Sequence, residues 1–203
     1  TELHTANGVE ILTGSRIAAI MEETEASGLR LDDGRTIAAD AVLLAVGAVP
    51  NAEIAEAAGI ATSDGILVDR HGRSSVAGVF ACGDCARFPS RRYGRSLRLE
   101  SVQNAIDQAK AIAATIAGNP TEHDPVPWFW SDQYKTKLQI AGLSSPDDRV
   151  TVEGTPGAGP FSVEYRRQGR LVAVDAVDNA RAHMLSRRRI AEETSVQPEE
   201  ALQ

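Results

Sequence analysis

Short alternating runs of hydrophobic and polar residues dominate the first part of the chain and predict β-strands. Residues 9–12 and 16–22 are two such runs, and residues 28–37 alternate on both sides of an Asp-Gly pair. An Asp-Gly pair between alternating runs is a strong hairpin signal, because a tight turn needs residues that accept a positive φ. Residues 40–47 are almost continuously apolar and end in glycine, which is typical of a strand buried on both faces.

The middle of the chain combines two helical patterns with two further strand patterns. We expect Asn51 to cap a short helix that ends at Gly59, because asparagine is a favoured N-cap and glycine a favoured helix terminator. Strands are predicted at residues 65–69 and 78–84, and a longer helix is predicted at residues 100–117. The hydrophobic positions that recur at helical spacing in the longer helix are Val102, Ala105, Ile106, Ala109, Ile112, Ala113 and Ile116.

A polar segment with two prolines, residues 121–127, separates this region from a mainly β-type pattern. We interpret the segment as a linker. Beyond it we predict four strands, at residues 138–143, 149–154, 161–167 and 170–177. A helix at residues 179–193 and an extended closing segment at residues 195–203 follow. The predicted fold is therefore an α/β part followed by an α+β C-terminal domain.

The composition of the 203 residues is that of a folded globular protein, with 42% hydrophobic and 24% charged residues. The net charge of −7 argues against nonspecific nucleic-acid binding. No apolar run approaches the roughly 18 residues of a membrane span, and two cysteines do not make a secreted disulfide framework. We therefore expect a cytoplasmic protein without nucleic-acid or membrane partners. Because the chain begins at Thr1 and not at Met, we expect it to be part of a longer protein.

Two motifs in the middle of the chain point to a ligand site. Gly83 lets a ligand approach the backbone closely, and Asp84 can accept hydrogen bonds from hydroxyl groups. A helix that starts near Ser101 leaves the N–H groups of residues 102–104 free, and these donors attract negative charge. Each motif alone also fits a surface turn or an ordinary amphipathic helix. Together they favour a flavin, whose ribityl chain carries hydroxyls and whose reduced ring carries negative charge.

Three stretches extend this interpretation to a family: GVFACGDCA at 78–86, ESVQNAIDQA at 100–109 and PWFWSDQYKTKLQIAGL at 127–143. They resemble the FAD-dependent ferredoxin reductases of the rubredoxin, putidaredoxin and biphenyl-dioxygenase type, whose fold is of the glutathione-reductase type. The resemblance implies electron transfer from NADH through FAD to a 2Fe-2S ferredoxin or a rubredoxin that serves an oxygenase or P450 system. The family carries two G-x-G-x-x-G motifs, which these residues lack. We therefore expect the C-terminal half of such an enzyme, inactive by itself.

The resemblance also assigns domains and site residues. It implies that residues 1–50 end the NAD(H)-binding domain, that residues 51–119 return to the FAD-binding domain, and that residues 120–203 form an α+β interface domain. Asp84 matches the aspartate that binds the FAD ribityl chain, and the N–H of Val102 matches a donor to the flavin ring. The implied cofactor-binding residues are Gly47, Gly83, Asp84, Glu100, Ser101, Val102, Gln103 and Trp130.

Among these implied residues, Trp130, or in its place Trp128, matches an aromatic between flavin and ferredoxin. Gly47 and Glu100 match positions near the nicotinamide nucleotide. Lys135 stands where the family often has aspartate, so the contacts with the partner protein are expected to differ locally.

An arginine cluster lies between Asp84 and the longer helix and consists of Arg91, Arg92, Arg95 and Arg98. A solvated surface explains most charged runs. The alternative is a docking site for an acidic ferredoxin, because two acidic proteins meet only where one of them is locally basic.

Other readings of the chain stay open. Cys82 and Cys85 form a C-x-x-C pair, which we interpret as part of the flavin motif and not as a redox dithiol. No catalytic side chain or metal-ligand set is expected, since the cofactors carry the chemistry, and the four histidines are expected at the surface. Another flavoprotein reductase, acting on nitrite or a disulfide, and a non-catalytic interaction module are the alternative functions.

Overall fold

The computed structural model describes residues 1–22 and 26–194, so the predicted closing segment lies outside the described residues. The chain divides into two compact units, Thr1–Ala48 and Val49–Gln203. The elements of the first unit are α1 (Glu2–Ala6), β1 (Ile17–Glu22), β2 (Ala26–Leu31) and β3 (Thr36–Ala38). The three strands form one antiparallel sheet in the order β1-β2-β3. The predicted hairpin is confirmed, and the Asp33 carboxylate closes its turn by accepting the Arg35 N–H at 3.0 Å.

Two strand predictions in the first unit are wrong. Residues 9–12 and 40–47 are irregular, and Leu43 in the second of these runs is 89% exposed. A strand needs a neighbouring strand to pair its backbone groups. No strand in the described part of the chain pairs with either segment, so their hydrophobic pattern alone does not make them strands.

The first part of the second unit is a small sheet with one long helix. Its elements are α2 (Glu53–Ala57), β4 (Ile66–Leu67), β5 (Ala86–Ser90), β6 (Arg95–Arg98) and α3 (Val102–Ile116). β4 pairs with β5 in parallel, and β5 pairs with β6 as an antiparallel hairpin. Val68, Ala86, Phe88, Leu97 and Leu99 form its apolar core.

Three predictions for this region need correction. The short helix is capped by Ala52 without a side-chain hydrogen bond, so Asn51 is not its cap. The strand predicted at 78–84 is reduced to one bridge, between Arg73 and Phe80, because Gly83 leaves the extended conformation with a φ of +79°. The strand follows Asp84 instead of preceding it, and the arginine cluster, for which no strand was predicted, lies in the turn and second strand of the β5–β6 hairpin.

The second part of the unit has the predicted combination of strands and a helix, with five strands where the sequence pattern predicted four. Its elements are β7 (Trp128–Gln133), β8 (Thr136–Gly142), β9 (Arg149–Glu153), β10 (Phe161–Arg167), β11 (Arg170–Val177) and α4 (Ala180–Thr194). The five strands form an antiparallel sheet in the order β7-β8-β11-β10-β9, and α4 packs against β11 and β8. The segment at 121–127 is not a loose linker, since His123 and Val126 are buried. Within the described residues no helix is long and apolar enough to cross a membrane.

Candidate active site

The Gly83–Asp84 turn presents an exposed carboxylate. Gly83–Cys85 forms one turn of 3₁₀-helix between extended Cys82 and β5. The buried N–H of Gly83 donates to Oε1 of Gln108, 2.8 Å away on α3. Asp84 is exposed, and its carboxylate has no hydrogen-bond or ion-pair partner among the described residues. The backbone of the turn is therefore held through the Gly83 N–H, and the Asp84 carboxylate can accept hydrogen bonds from a ligand.

The amino end of α3 lies beside this turn, because α3 packs directly against Gly83–Cys85. The helix starts near Ser101 as predicted, and Ser101 is its N-cap, with a hydroxyl that accepts the N–H of Asn104 at 3.1 Å. Asn104 therefore does not offer the free N–H that the sequence suggested. The N–H groups of Val102 and Gln103 have no acceptor in the described part of the chain. Two free donors remain at the positive end of the helix dipole.

Glu100 and Arg98 form a charged support beneath the turn. The guanidinium of Arg98 donates to Glu100 at 2.6 Å, to the Asp84 carbonyl at 3.1 Å and to Asp64 at 3.2 Å. The Arg98 side chain is only 12% exposed. Arg98 therefore holds the backbone around Asp84, and Glu100 is already engaged by Arg98.

The two tryptophans of β7 lie together, with ring centroids 5.5 Å apart. Trp130 is 44% exposed, whereas the indole N–H of Trp128 is buried without a partner among the described residues. Arg187 of α4 lies over the Trp128 ring at 5.2 Å. Ser101, Gln103 and Trp128 line one narrow cavity at the start of α3. The structure thus brings the helix start and the aromatic pair to the same place.

The arginine cluster does not act as one surface. Arg91 and Arg95 are exposed, although Arg91 lies 3.3 Å from Glu122. Arg92 is half-buried and donates to the Ile190 carbonyl at 3.1 Å, while Arg98 supports the Asp84 turn. At roughly 3.3 Å per residue, β5 separates the 91–94 turn from Asp84 by about 16 Å. Only Arg91 and Arg95 remain available for a partner.

The other predicted residues are placed as follows. Gly47 lies exposed in the first unit with a φ of +105°. Cys82 and Cys85 are free thiols, and the described residues contain no cluster that could hold a metal ion. The histidine prediction is wrong for His123 and His183, which are buried.

Sequence reasoning missed three residues of the site: Asn104, Gln108 and His123. All three are buried, and they are linked to Gly83 by hydrogen bonds. Two amides spaced i, i+4 on an otherwise alanine-rich helix are the signal that could have revealed them.

Comparison with known proteins decides the family. The family model described as pyridine nucleotide-disulphide oxidoreductase matches residues 1–109, and the model described as reductase C-terminal matches residues 128–203. The chain belongs to the pyridine nucleotide-disulphide oxidoreductase family. The resemblance drawn from the motifs and the predicted fold class are thereby confirmed.

Ferredoxin reductases are among the relatives of this family member. Rhodocoxin reductase of Rhodococcus erythropolis is 40% identical over 98% of this chain and 47% of its own length. The ferredoxin reductase for the CYP199A2 system from Rhodopseudomonas palustris is 40% identical, with a TM-score of 0.90 over 100% of this chain and 50% of that one. The covalent putidaredoxin reductase–putidaredoxin complex matches at 38% identity and a TM-score of 0.89, over 94% of this chain and 46% of that one. The chain spans about half the length of these relatives.

The observed groups fit the FAD cofactor that the family implies. Among residues 1–22 and 26–194 nothing pairs with the Asp84 carboxylate, which could accept from hydroxyl groups, or with the N–H groups of Val102 and Gln103, which could donate to a negatively charged ring edge. A Cβ atom at Gly83 would contact only Ala105, at 3.5 Å, so the positive φ and not crowding explains the glycine.

Proposed function

We propose that this chain is the electron-exit half of an NADH-dependent ferredoxin reductase. The observation that carries the proposal is the pairing of a free Asp84 carboxylate with two free N–H groups of α3, on two segments joined by the Gly83–Gln108 hydrogen bond. This is the donor and acceptor pattern of a flavin site. Similarity to reductases of rhodocoxin and putidaredoxin supports a small iron–sulfur protein as the electron acceptor, either a 2Fe-2S ferredoxin or a rubredoxin.

Each residue has a role in this proposal. When bound, FAD would accept a hydride from NADH and release the two electrons singly to two partner molecules. Asp84 would accept hydrogen bonds from the ribityl hydroxyls, and the N–H groups of Val102 and Gln103 would stabilise negative charge on the ring. Gly47 and Glu100 are proposed to lie near the nicotinamide nucleotide.

The half-exposed Trp130 is proposed as the aromatic residue between flavin and ferredoxin. Basic groups near Trp130 would then lie where the ferredoxin docks. Arg187 lies against the neighbouring Trp128 ring, and Arg91 and Arg95 are the exposed members of the arginine cluster. An acidic ferredoxin would be attracted to such groups, mainly through its association rate. We also propose a cytoplasmic location, since both cysteines are free thiols.

The test measures NADH-dependent reduction of a 2Fe-2S ferredoxin and of a small neutral dye by the purified full-length protein. We expect bound FAD and reduction of both acceptors. The charge reversal Arg187→Glu and the double reversal Arg91→Glu with Arg95→Glu should each slow ferredoxin reduction. The loss should shrink with added salt, because exposed charges are screened over about 8–10 Å at physiological ionic strength. Dye reduction should not change.

Arg188→Glu is the matched control, because Arg188 is the sequence neighbour of Arg187 and is already paired with Glu192 at 2.8 Å. It should leave ferredoxin reduction near the parent rate. Equal losses with ferredoxin and dye would assign the arginines to the fold. A protein that holds FAD but reduces disulfides or nitrite and not ferredoxin would overturn the proposed function.

A further inference from the structure

Three buried polar side chains connect the Gly83–Asp84 turn to α3. Asn104, Gln108 and His123 are 5%, 2% and 5% exposed, respectively. Asn104 and Gln108 stand one helical turn apart on the same face of α3. Burying polar groups costs free energy unless they form hydrogen bonds. The hydrogen-bond partners of these three side chains therefore indicate why polar residues stand at these buried positions.

The hydrogen bonds of these side chains converge on Oε1 of Gln108. Gln108 Oε1 accepts from the Gly83 N–H at 2.8 Å and from Asn104 Nδ2 at 3.4 Å. Asn104 Nδ2 also donates to the Leu99 carbonyl at 3.1 Å. Because both of these partners are acceptors, the amide nitrogen of Asn104 faces them and its Oδ1 faces His123.

His123 therefore donates from Nε2 to Asn104 Oδ1, 3.1 Å away, so this ring nitrogen carries a proton. The histidine is itself held in place. Its backbone N–H donates to the Arg70 carbonyl at 2.8 Å, and its ring packs edge-on against Phe88 of β5, with centroids 4.9 Å apart. The far end of the network is thus fixed to the small sheet.

Building on the proposed function, we propose that Asn104, Gln108 and His123 are positioning residues for the flavin site. Through the Gly83 N–H they set where the Asp84 carboxylate stands relative to the free N–H groups of α3. No backbone carbonyl accepts the Gly83 N–H in the described part of the chain, so its place depends on Gln108. A binding site needs such support, because a small displacement of its polar groups weakens every bond to the ligand.

The test replaces Gln108 by methionine in the full-length protein. Methionine has a similar length, but its thioether sulfur is a much weaker acceptor for the Gly83 N–H than an amide oxygen. We expect the FAD dissociation constant to rise about tenfold, the factor expected when one hydrogen-bond partner of a buried group is lost. In the apoprotein, amide hydrogen exchange of the peptide that contains Gly83 should become faster.

Thr115→Val is the matched control on the same helix. Thr115 is buried, and its hydroxyl accepts the Thr121 N–H at 3.2 Å, so valine likewise leaves an N–H without its acceptor. Both variants should lower the melting temperature. Only Gln108→Met should change FAD affinity and exchange at Gly83.

A second pair of variants keeps the test decisive if Gln108→Met fails to fold. His123→Phe keeps the ring against Phe88 but loses the donor, whereas His123→Gln keeps a donor. FAD affinity should fall with phenylalanine and recover with glutamine. Unchanged FAD affinity in Gln108→Met, or losses in Gln108→Met and Thr115→Val that simply follow their melting temperatures, would overturn the inference. A parent protein without FAD would instead overturn the proposed function itself.

Discussion

α3 and α4 are both 15 residues long, yet they bury different things. α3 buries Asn104 and Gln108 together with Ala111 and Ile112, while Val102 and Ile106 are exposed. The two buried amides form the hydrogen bonds that reach Gly83. α4 buries Ile190 against the five-stranded sheet, together with the polar residues His183 and Ser186. The difference teaches that α4 contributes to a hydrophobic core, whereas the buried amides of α3 hold the Gly83–Asp84 turn.

The largest expected effect tests the structural role of α4. Ile190→Ala should lower the free energy of unfolding by about 2–5 kcal/mol, because the side chain is almost fully buried and leaves a cavity. FAD affinity should hardly change. Met184→Ala on the exposed face of the same helix is the control and should cost no more than about 0.5 kcal/mol. Chemical denaturation of the full-length protein measures both. An equal cost of the two substitutions would contradict the assigned core.

The next effect tests the ligand role of the turn beside α3. Asp84→Ala should weaken FAD binding by about 1.5–3 kcal/mol, the value typical of hydrogen bonds to a charged group. Stability should barely change, because the carboxylate has no partner among the described residues. Asp84→Asn, which keeps an acceptor, should fall between parent and alanine in a fluorescence titration of the apoprotein. Tight FAD binding by Asp84→Ala would make Asp84 only a turn residue.

The smallest effect concerns two buried histidines, His123, which contacts Asn104 of α3, and His183, which belongs to α4. Burial lowers the pKa of His123 against the opposing influence of Asp107 and Asp124, and burial together with Arg187 lowers the pKa of His183. For both histidines the folded-state pKa lies below the unfolded value of about 6.5, so the stability linked to their neutral form is fully present above that pH. It is lost as the pH falls through the folded-state pKa.

The denaturation midpoint should therefore decrease between pH 7 and pH 5. His123→Gln should remove part of this dependence and His183→Phe another part. The carboxylate of Asp148, whose pKa is lowered chiefly by its hydrogen bond to Arg167, acts in a separate window below its ordinary value of 3.8. A midpoint that stays constant from pH 7 to pH 5 would show that the two histidines titrate alike in both states.

Local chemistry explains what the sequence predicted well. The helix start near Ser101 and the Asp33-Gly34 hairpin depend on groups a few residues away, and both are found as expected. The α+β domain was readable because its strands pair with one another inside the chain. Asp84 and Val102 were predicted from their motifs as site residues, and their role in binding stays a prediction. In the described part of the chain the Asp84 carboxylate and the Val102 N–H have no partner, as that prediction requires.

Long-range pairing explains what the sequence could not predict. Residues 40–47 have the pattern of a buried strand but no neighbouring strand among the described residues. Hydrophobic periodicity places the polar Gln108 at the surface, but the structure buries it. The reason is its hydrogen bond to Gly83, which lies 25 residues earlier and so cannot be inferred from the helix pattern alone. A β-strand through the arginine cluster was missed for a related reason: charged residues are weak strand signals, and pairing with β5 decides the structure.

The contact between Trp128 and Trp130 has a spectroscopic consequence. The sequence contains two tryptophans, and both rings lie in this one pair. Tryptophan emission of the chain therefore originates at a single location, between the start of α3 and Arg187 of α4. The fluorescence of these two residues therefore reports, without an added label, on the place where flavin and partner protein are proposed to meet.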